Sequence, residues 1–368
     1  MTTRDQVALA DYTTLRLGGP AQRLVDVSTD DEVVAAVTAA DAVGEPLLIL
    51  GGGSNLVVAD EGFPGTVIRI RTRGVTTTGA GDASGAVRLT AAAGEGWDDL
   101  VERSVAAGLS GIECLSGIPG LVGATPIQNV GAYGQEVAQT VAAVRVFDRA
   151  SGQVTEVAAA DCGFGYRTSS FKRAAAGAPT GPFVVLAVTF RLAASSLSAP
   201  VRYAELARAL GAELGSRAPL ADVRAAVLAL RRGKGMVLDP ADPDTRSAGS
   251  FFTNPVVSLD QLAALERADP QIPRYPAEPG SVKLSAAWLI EHAGFGKGYG
   301  GREPDDRPRI SSRHTLALVN PGVGSTSALL ELAAEIRDGV RASFGVELMN
   351  EPVIVGSAGD WAAAGAAR

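Results

Sequence analysis

A run of eighteen residues from Gly117 to Gly134 constrains the fold of this chain more than any other part of it. The run contains five glycines, two prolines and no charged side chain. Glycine loses the most backbone entropy on ordering and proline lacks an N–H donor, so the composition suits neither a helix nor a regular strand. It favours a backbone that lies directly against a flat or phosphorylated ligand, and the alternative is a glycine-rich turn region in a β domain.

A second glycine-rich segment, Gly51 to Asn55, lies between two short apolar runs that predict strands at 46–50 and 56–58. Successive glycines allow several amide N–H groups to converge on one anion, and Ser54 adds a side-chain donor. The segment differs from a Rossmann fingerprint because its spacing is wrong and a strand follows it. Alone it is also compatible with a tight hairpin turn, but the two segments together are what an extended dinucleotide such as FAD requires.

The size and charge of the chain exclude several classes of protein. A length of 368 residues predicts two or three domains, and 46% apolar with 20% charged residues is typical of a folded protein. The net charge of −7 argues against broad binding to nucleic acid or to an anionic membrane. No apolar run approaches the roughly 20 residues that cross a bilayer.

The N-terminal residues lack the apolar core of a signal peptide, so we expect a cytoplasmic protein. The two cysteines, Cys114 and Cys162, have no metal or redox spacing. We expect both to be reduced and buried, and we predict no metal site.

Local signals predict an α+β organisation. Thr29 and Glu32 have the spacing of a capping box at the start of a helix that Gly44 ends. Short β-branched runs between about 74 and 195, with one helix at 99–107, predict an α+β unit. Residues 203–232 are predicted to be mostly helical, and Ser325 is predicted to start a long amphipathic helix. Residues 346–356 are predicted to form a strand.

Three residues stand out for their chemistry. Arg167 follows Tyr166 among aromatic and hydroxyl side chains, where a guanidinium can bind a carboxylate or stabilise an enolate, unless it is an ordinary surface arginine. Ser250 is predicted to lie in a turn at 249–255, as a nucleophile, a proton donor or a cap. Glu351 begins an apolar segment and is a solvated edge residue unless that strand returns to the site.

The same residues argue against other chemistry. With His292 and His314 as the only histidines and no nucleophile-elbow pattern, no serine–histidine–acid set is found, which argues against a hydrolase. Most basic residues of the C-terminal half are expected to be solvated; they include Arg231, Arg232, Lys234, Lys283 and Lys297.

Taken in order, these motifs resemble those of the UDP-N-acetylenolpyruvoylglucosamine reductases, flavoenzymes of peptidoglycan synthesis. The resemblance covers roughly residues 11 to 356. Its specific parts are the run from Ile127 to Gly134 and the turn Gly249-Ser250-Phe251-Phe252. The segment 200–206, with Tyr203, resembles the loop that closes over the nucleotide in type I members of the family.

The resemblance implies an α+β fold class with a two-part FAD-binding region of the vanillyl-alcohol-oxidase (PCMH) type and a C-terminal α+β substrate-binding domain. We predict FAD-binding subdomains at 1–73 and 74–210 and the UDP-sugar domain at 211–349. Residues 350–368 would be a strand that returns to the active site, followed by a tail. Because neither histidine lies in the flavin region, FAD is expected to bind non-covalently, with NADPH as the co-substrate.

The resemblance also implies residue roles. Arg167 and Glu351 would stabilise an enolate, with Glu351 protonated or hydrogen-bonded, and Ser250 would protonate the neighbouring carbon. The predicted FAD-binding residues are Gly51, Gly52, Gly53, Ser54, Asn55, Gly117, Ile118, Gly123, Ala124, Pro126, Gln128, Asn129, Gly131, Ala132 and Tyr133. The predicted substrate-binding residues are Tyr166, Tyr203, Arg231, Lys234, Asn254 and Lys283.

The implied substrate is a small molecule, UDP-N-acetylglucosamine enolpyruvate. We expect a monomer with no nucleic-acid or membrane partner. Two rival interpretations are a flavin oxidase of the same fold and a non-catalytic nucleotide-binding relative. The Tyr203 segment, Ser250 and Glu351 argue against the oxidase, and the presence of Arg167, Ser250 and Glu351 argues against the non-catalytic relative.

Overall fold

A computed structural model describes residues 1–79, 86–175, 178–268, 271–301, 307–322 and 324–356. These residues form two compact units. Unit 1 consists of Met1–Ala8, Pro20–Gly53 and Phe63–Val237, and unit 2 of Leu9–Gly19, Ser54–Gly62 and the described residues from Leu238 onward. The division at 73, 210 and 349 stays a prediction, and the predicted tail at 357–368 lies outside the described residues.

The strands of the described residues are short, apart from a few in unit 1. In chain order they are β1 Thr2–Ala8, β2 Pro20–Val27, β3 Leu47–Leu50, β4 Leu56–Val58, β5 Phe63–Ile70, β6 Val75–Thr78, β7 Ala86–Ala92, β8 Leu109–Ser110, β9 Gly131–Ala132, β10 Gln135–Glu136, β11 Val141–Asp148, β12 Gln153–Ala158, β13 Phe183–Ala194, β14 Ser247–Ser250, β15 Val256–Ser258, β16 Arg274–Pro276, β17 Ser281–Leu284, β18 Arg309–Ile310, β19 Ala317–Val319 and β20 Val353–Val355.

The helices alternate with these strands in both units. The α-helices are α1 Asp30–Ala42, α2 Trp97–Ala106, α3 Thr125–Gln128, α4 Ser170–Ala174, α5 Ala204–Leu210, α6 Leu220–Gly233, α7 Leu259–Ala268, α8 Ala286–His292 and α9 Thr326–Phe344. Short 3₁₀ helices lie at Leu9–Tyr12, Glu113–Leu115, Val122–Ala124, Val137–Gln139, Ala159–Cys162 and Pro243–Thr245. Within the described ranges, no helix is both long enough and apolar enough to cross a membrane.

The first sheet of unit 1 has the strand order β1-β2-β5-β3, in which β5 is parallel to both β2 and β3. Helix α1 packs its buried side chains, Val33 and Val37 among them, into the core of this unit. The Thr29 side chain accepts from the Glu32 N–H at the start of α1, and Gly44 has a positive φ of 69° just after its end. The predicted cap and helix end are therefore confirmed.

The second sheet of unit 1 is antiparallel, with the order β12-β11-β13-β7-β6. Helix α2 buries Trp97 in the same core, where its ring centroid lies 5.7 Å from that of Phe190 on β13. The predicted helix at 99–107 is found at 97–106. Both cysteines are buried in this unit, as predicted, and burial raises the pKa of the Cys114 thiol to about 12.

Unit 2 contains two three-stranded antiparallel sheets, β14-β19-β18 and β15-β17-β16, and the parallel pair β20-β4. Helix α9 starts where the sequence predicted, because the Ser325 side chain accepts from the Ala328 N–H. The strand predicted over 346–356 is wrong in extent, since only Val353–Val355 is a strand and Glu351 precedes it. Pro352 has no N–H to donate, which prevents the ladder from continuing toward Glu351.

A carboxylate at the start of α9 holds the loop after β4 to this helix. Asp60 accepts from the Thr326 N–H at 2.7 Å and from the Ser327 N–H at 2.9 Å. Burial alone would raise the pKa of Asp60, but the hydrogen bonds from Ser327 and Thr326 outweigh it and hold the pKa below its ordinary value. An anion at a helix N-terminus satisfies N–H groups that have no partner within the helix.

We expect Asp60→Asn to lower the free energy of unfolding by about 1 kcal/mol at neutral pH. The pKa of the Asp60 carboxyl is lower in the folded protein than in the unfolded chain, where it is about 4. The stabilisation by this carboxylate is therefore complete above about pH 4, and it is lost as the pH falls through the pKa of the folded protein. Urea unfolding between pH 7 and pH 3 measures it. Glu331→Gln, on the exposed face of the same helix, is the control. A difference between wild type and Asp60→Asn that is as large at pH 3 as at pH 7 would contradict the assignment.

Candidate active site

The two glycine-rich segments meet within unit 1. A Cβ on Gly52 would lie 2.7 Å from the Cα of Gly120, a separation that only a residue without a side chain tolerates. Gly53, the next residue, has a positive φ of 62°. Two bare backbones in contact form the kind of surface that an extended dinucleotide such as FAD can approach closely. Ser54 and Asn55, the last two residues of the glycine-rich segment Gly51 to Asn55, belong to unit 2.

The run from Gly117 to Gly134 contains more regular structure than its composition predicts. It forms the 3₁₀ helix Val122–Ala124, the single turn α3, and β9 of a hairpin with β10. Pro126 stands in the first turn of α3, where the lost N–H has no partner within the helix in any case. The expectation that this run forms neither helix nor strand is therefore wrong, although its helices are single turns and its strand has two residues.

We expect Gly52→Ala to lower the free energy of unfolding by about 1–3 kcal/mol, because the new methyl group meets backbone that cannot rotate away. The variant should also be purified with less FAD, because the methyl group would push apart the two glycine-rich segments that are expected to bind the cofactor. Flavin absorbance per protein and thermal unfolding measure the two effects. Gly233→Ala is the matched control, because its new Cβ would meet no atom within 4 Å. Wild-type flavin content in Gly52→Ala would contradict this interpretation.

Arg167 lies at a tight turn closed by two hydrogen bonds, from the Gly165 N–H to the Thr168 carbonyl at 3.0 Å and from the Thr168 N–H to the Gly165 carbonyl at 3.2 Å. Its φ is +54°, an unfavourable conformation for a residue with a side chain. Its guanidinium donates to the Gly131 carbonyl at 2.8 Å. The structure therefore joins the predicted catalytic arginine to the predicted FAD-binding run.

Other contacts also hold the Arg167 turn against the glycine-rich run. The Asn129 side chain donates to the Gly165 carbonyl at 2.8 Å, and the buried Ser169 hydroxyl donates to the Ile127 carbonyl at 2.8 Å. Asn129 and Tyr133 also have positive φ values, of 47° and 49°. Such conformations persist only where the surroundings enforce them, and they are frequent at functional sites.

An aromatic and charged cluster contains several of the predicted substrate-binding residues. The Tyr203 ring lies edge-on to the Tyr133 ring at 5.5 Å between centroids, and the Lys234 ammonium is 5.6 Å from the Tyr133 centroid. Burial raises the pKa of Tyr133 to about 12. Lys234 also forms an ion pair with Glu205 at 2.6 Å. Glu205 is not among the predicted site residues, although it lies within the segment 200–206 that contains Tyr203.

Arg231 is 8% exposed, so the expectation of solvated bases in this half of the chain is wrong for this residue. Burial lowers the pKa of Arg231, although Tyr133 and Asp98 act in the opposite direction. One of its terminal nitrogens donates to the Met236 carbonyl at 2.8 Å, whereas its Nε has no hydrogen-bond partner among the described residues. The Arg231 side chain packs against Gly117, since a Cβ added to Gly117 would lie 3.4 Å from the Arg231 Nε.

Two acidic residues that the sequence analysis did not single out hold the ends of the glycine-rich run. Asp98 accepts from the Gly117 N–H at 2.6 Å and forms a two-pronged ion pair with Arg224. The Glu113 carboxylate is fully buried and accepts from Gly111, Gln135 and Ala199. The sequence contains no short-range signal for either role, because most of these partners are far away along the chain.

In unit 2, Phe251, the residue after Ser250, and Asn55 both contact the segment that contains Glu351. Ser250 is the last residue of β14 rather than part of a turn, because Phe251 and Phe252 after it are buried and the Phe251 N–H continues to the Leu316 carbonyl. The Glu351 N–H donates to the Phe251 carbonyl at 2.8 Å. The Asn55 side chain approaches the Glu351 carbonyl at 3.5 Å, and the Val353 N–H donates to the Asn55 carbonyl at 2.9 Å.

The remaining predicted residues of unit 2 lie elsewhere in that unit. The Asn254 side chain accepts from the Ala286 N–H at the start of α8, at 3.0 Å. Lys283 lies on β17, opposite Val256 of β15. These positions neither support nor exclude a contact with a UDP-sugar, so both roles stay predictions.

Comparison with known proteins assigns the family. A family model described as FAD binding domain matches residues 21–158, and one described as UDP-N-acetylenolpyruvoylglucosamine reductase, C-terminal domain, matches residues 240–355. The chain is 56% identical to the UDP-N-acetylenolpyruvoylglucosamine reductase of Thermobifida fusca over 95% of its own length and 97% of the relative's. It is 58% identical to that of Saccharopolyspora erythraea over 95% and 94%. The chain belongs to the UDP-N-acetylenolpyruvoylglucosamine reductase family.

The crystal structure of the family member from Thermus caldophilus matches with a TM-score of 0.60 and 29% identity, covering 96% of this chain and all of that one. The predicted fold class is confirmed by this match and by the two family models, which follow one another along the chain. FAD as the cofactor is confirmed by the match of the FAD-binding model. The individual residue roles stay predictions.

Proposed function

We propose that this chain is a flavin-dependent oxidoreductase that reduces UDP-N-acetylglucosamine enolpyruvate to UDP-N-acetylmuramate with NADPH, in peptidoglycan precursor synthesis. Family membership over 95% of the chain supports this reaction. The observation within the structure that carries the proposal is the hydrogen bond from Arg167 to the Gly131 carbonyl. This bond supports the proposal, because it joins the side chain expected to meet the substrate carboxylate to the segment expected to bind the flavin.

The residues of unit 1 fit FAD. The approach of Gly52 to Gly120 leaves room for backbone alone, and Gly117 and Gly131 belong to the same glycine-rich run as Gly120. When bound, FAD supplies the substrate's vinyl carbon with a hydride that it has received from NADPH. Neither His292 nor His314 lies in the range matched by the FAD-binding model, which supports non-covalent binding.

The chain's own residues would handle charge and the proton. Hydride addition to the vinyl carbon pushes an electron pair toward the substrate carboxylate, where Arg167 would stabilise the developing negative charge. The Ser250 hydroxyl would protonate the adjacent carbon, which completes reduction of the double bond. Glu351 would act at the same carboxylate in a protonated or hydrogen-bonded form, because an ionised acid would repel the substrate.

The UDP moiety requires cations and hydrogen-bond donors for its diphosphate. We assign this role to Lys234, Tyr203, Tyr166 and Arg231 of unit 1, and to Asn254 and Lys283 of unit 2. Tyr203 and Lys234 both contact the ring of Tyr133, which supports a shared function for Tyr203 and Lys234. The division of the chain into FAD-binding subdomains at 1–73 and 74–210 and a UDP-sugar domain at 211–349 belongs to the same proposal.

We propose further that the protein acts as a cytoplasmic monomer without a nucleic-acid partner. The net charge of −7 supports the last point, since nucleic acid would be repelled. Light scattering coupled to size-exclusion chromatography tests the monomer, and a mass of twice 37.5 kDa would overturn it.

An anaerobic flavin spectrum tests the reaction directly. NADPH is added to the purified protein, followed by UDP-N-acetylglucosamine enolpyruvate. Bleaching by NADPH and full recovery on the second addition would support both half-reactions. Bleaching without recovery would leave a flavoprotein of another activity, such as an oxidase of the same fold. A protein that takes up no flavin after reconstitution would refute the cofactor assignment.

A further inference from the structure

We infer that Lys172 is a positioning residue for this reaction, because it holds the backbone of Arg167 and the side chain of Gln128 at the same time. The inference rests on the proposed function, in which Arg167 meets the substrate carboxylate. Lys172 belongs to helix α4, which follows the Arg167 turn directly. Its ammonium donates to the Arg167 carbonyl at 3.1 Å and to the Gln128 side-chain oxygen at 2.9 Å.

The first contact acts on an unfavourable conformation. Arg167 has a φ of +54°, and a residue with a side chain stays there only when its surroundings compensate. An ammonium donating to the Arg167 carbonyl is a charge-assisted hydrogen bond, stronger than a bond between neutral groups. Lys172 thereby favours the backbone geometry that directs the Arg167 guanidinium toward Gly131.

The second contact sets the orientation of an amide. Lysine has three donors and no acceptor, so the ammonium must face the oxygen of Gln128, and the NH₂ group is directed away from Lys172. The contact therefore fixes which end of the side chain of Gln128, a predicted FAD-binding residue, faces Lys172.

The start of α4 anchors the lysine itself. The Lys172 N–H donates to the Ser169 hydroxyl at 3.2 Å, and this hydroxyl donates to the Ile127 carbonyl at 2.8 Å. Ser169 has no exposed surface. The ammonium therefore joins two segments that already meet through a buried contact, so its removal should change local geometry more than the overall fold.

The test compares Lys172→Gln with Lys172→Arg and with Arg173→Gln. Arg173 is the next residue on α4, and it donates to the Gly163 carbonyl instead. Arg173→Gln therefore removes one positive charge from the same helix without removing the contacts of Lys172. We expect Lys172→Gln to slow reoxidation of the reduced enzyme by UDP-N-acetylglucosamine enolpyruvate by about 10- to 100-fold, with NADPH-driven reduction within about twofold of wild type. Lys172→Arg should recover most of the rate, and Arg173→Gln should retain both rates.

A second measurement does not depend on turnover. Amide hydrogen exchange in the protein without FAD reports the Gly165 and Thr168 N–H groups that close the Arg167 turn. Both should exchange faster in Lys172→Gln and at the wild-type rate in Arg173→Gln. If Lys172→Gln fails to fold, the same comparison is made on Lys172→Met and Lys172→Arg, where the arginine variant should retain the protection.

The outcomes separate this inference from the proposed function. Equal losses in both half-reactions, or unchanged exchange at Gly165 and Thr168 in the lysine variants, would overturn the role of Lys172. A wild-type enzyme that is bleached by NADPH but is not reoxidised by the enolpyruvyl sugar would refute the proposed function. In that case the exchange measurement would still decide whether Lys172 positions the Arg167 turn.

Discussion

Ser250→Ala is expected to slow reoxidation of the reduced enzyme by UDP-N-acetylglucosamine enolpyruvate by about 10²- to 10⁴-fold, the typical contribution of a general acid. Reduction of the flavin by NADPH should be nearly unchanged, because that step requires no proton from a serine. Stopped-flow absorbance of the flavin measures the two half-reactions separately. The expected asymmetry follows from the role of Ser250 as the proton donor to the carbon next to the carboxylate.

The same experiment needs a serine that is removed without chemical consequence. Ser247 lies on the same strand, β14, and among the residues that the structure describes its hydroxyl accepts a local hydrogen bond, from the Gly249 N–H at 3.2 Å. Ser247→Ala should therefore retain both half-reactions, whatever it does to stability. Similar losses in both half-reactions of Ser250→Ala would mean that Ser250 shapes the site rather than donating the proton.

Glu113→Ala is expected to lower the free energy of unfolding by about 3 kcal/mol or more, because it leaves several buried donors without an acceptor. The Glu113 carboxylate accepts from the Gly111 N–H at 2.6 Å and from both the Gln135 amide and the Ala199 N–H at 2.9 Å. Gln135 follows the glycine-rich run, and Ala199 precedes the Tyr203 segment. The variant should therefore also weaken binding of the UDP-sugar, which isothermal calorimetry measures.

Urea unfolding with tryptophan fluorescence measures the stability change, with Glu102→Ala as the control. Glu102 is an exposed glutamate of the same unit, and its ion pair with Arg224 at 3.6 Å is a surface contact. Its loss should cost less than about 1 kcal/mol. A Glu113→Ala variant as stable as Glu102→Ala would show that water replaces the carboxylate and that the buried network is not needed.

Several elements were predictable because their signals lie within a few residues. The Thr29 cap of α1, the Ser325 cap of α9 and the strand–glycine–strand order around Gly51 are each encoded by neighbouring residues. The strand predicted over 346–356 is longer than the strand observed, Val353–Val355. The segment is apolar, as in a strand, but Pro352 has no N–H to donate to a neighbouring strand. The turn predicted at Ser250 is wrong for a different reason, since Gly249, with a φ of 74°, lies at an irregularity within β14 and not at a turn.

The residues that sequence reasoning missed are joined to partners far away along the chain. Lys172 bonds to Gln128 across 44 residues, Glu113 to Ala199 across 86, and Glu205 to Lys234 across 29. A lysine or glutamate alone in a sequence is most often a solvated charge. Only folding reveals that these charges lie beside a turn, a buried amide or an aromatic ring.

By itself the sequence determined the family, the FAD-binding character of the N-terminal half and the starts of α1 and α9, because these depend on residue types at short, fixed spacings. Only the tertiary structure decided that Gly52 touches Gly120, that Arg167 adopts a positive φ against Gly131, and that Arg231 is buried. Each of these depends on the distance between segments separated by many residues. Such distances follow from the packing of the whole unit, and no local pattern of residues encodes them.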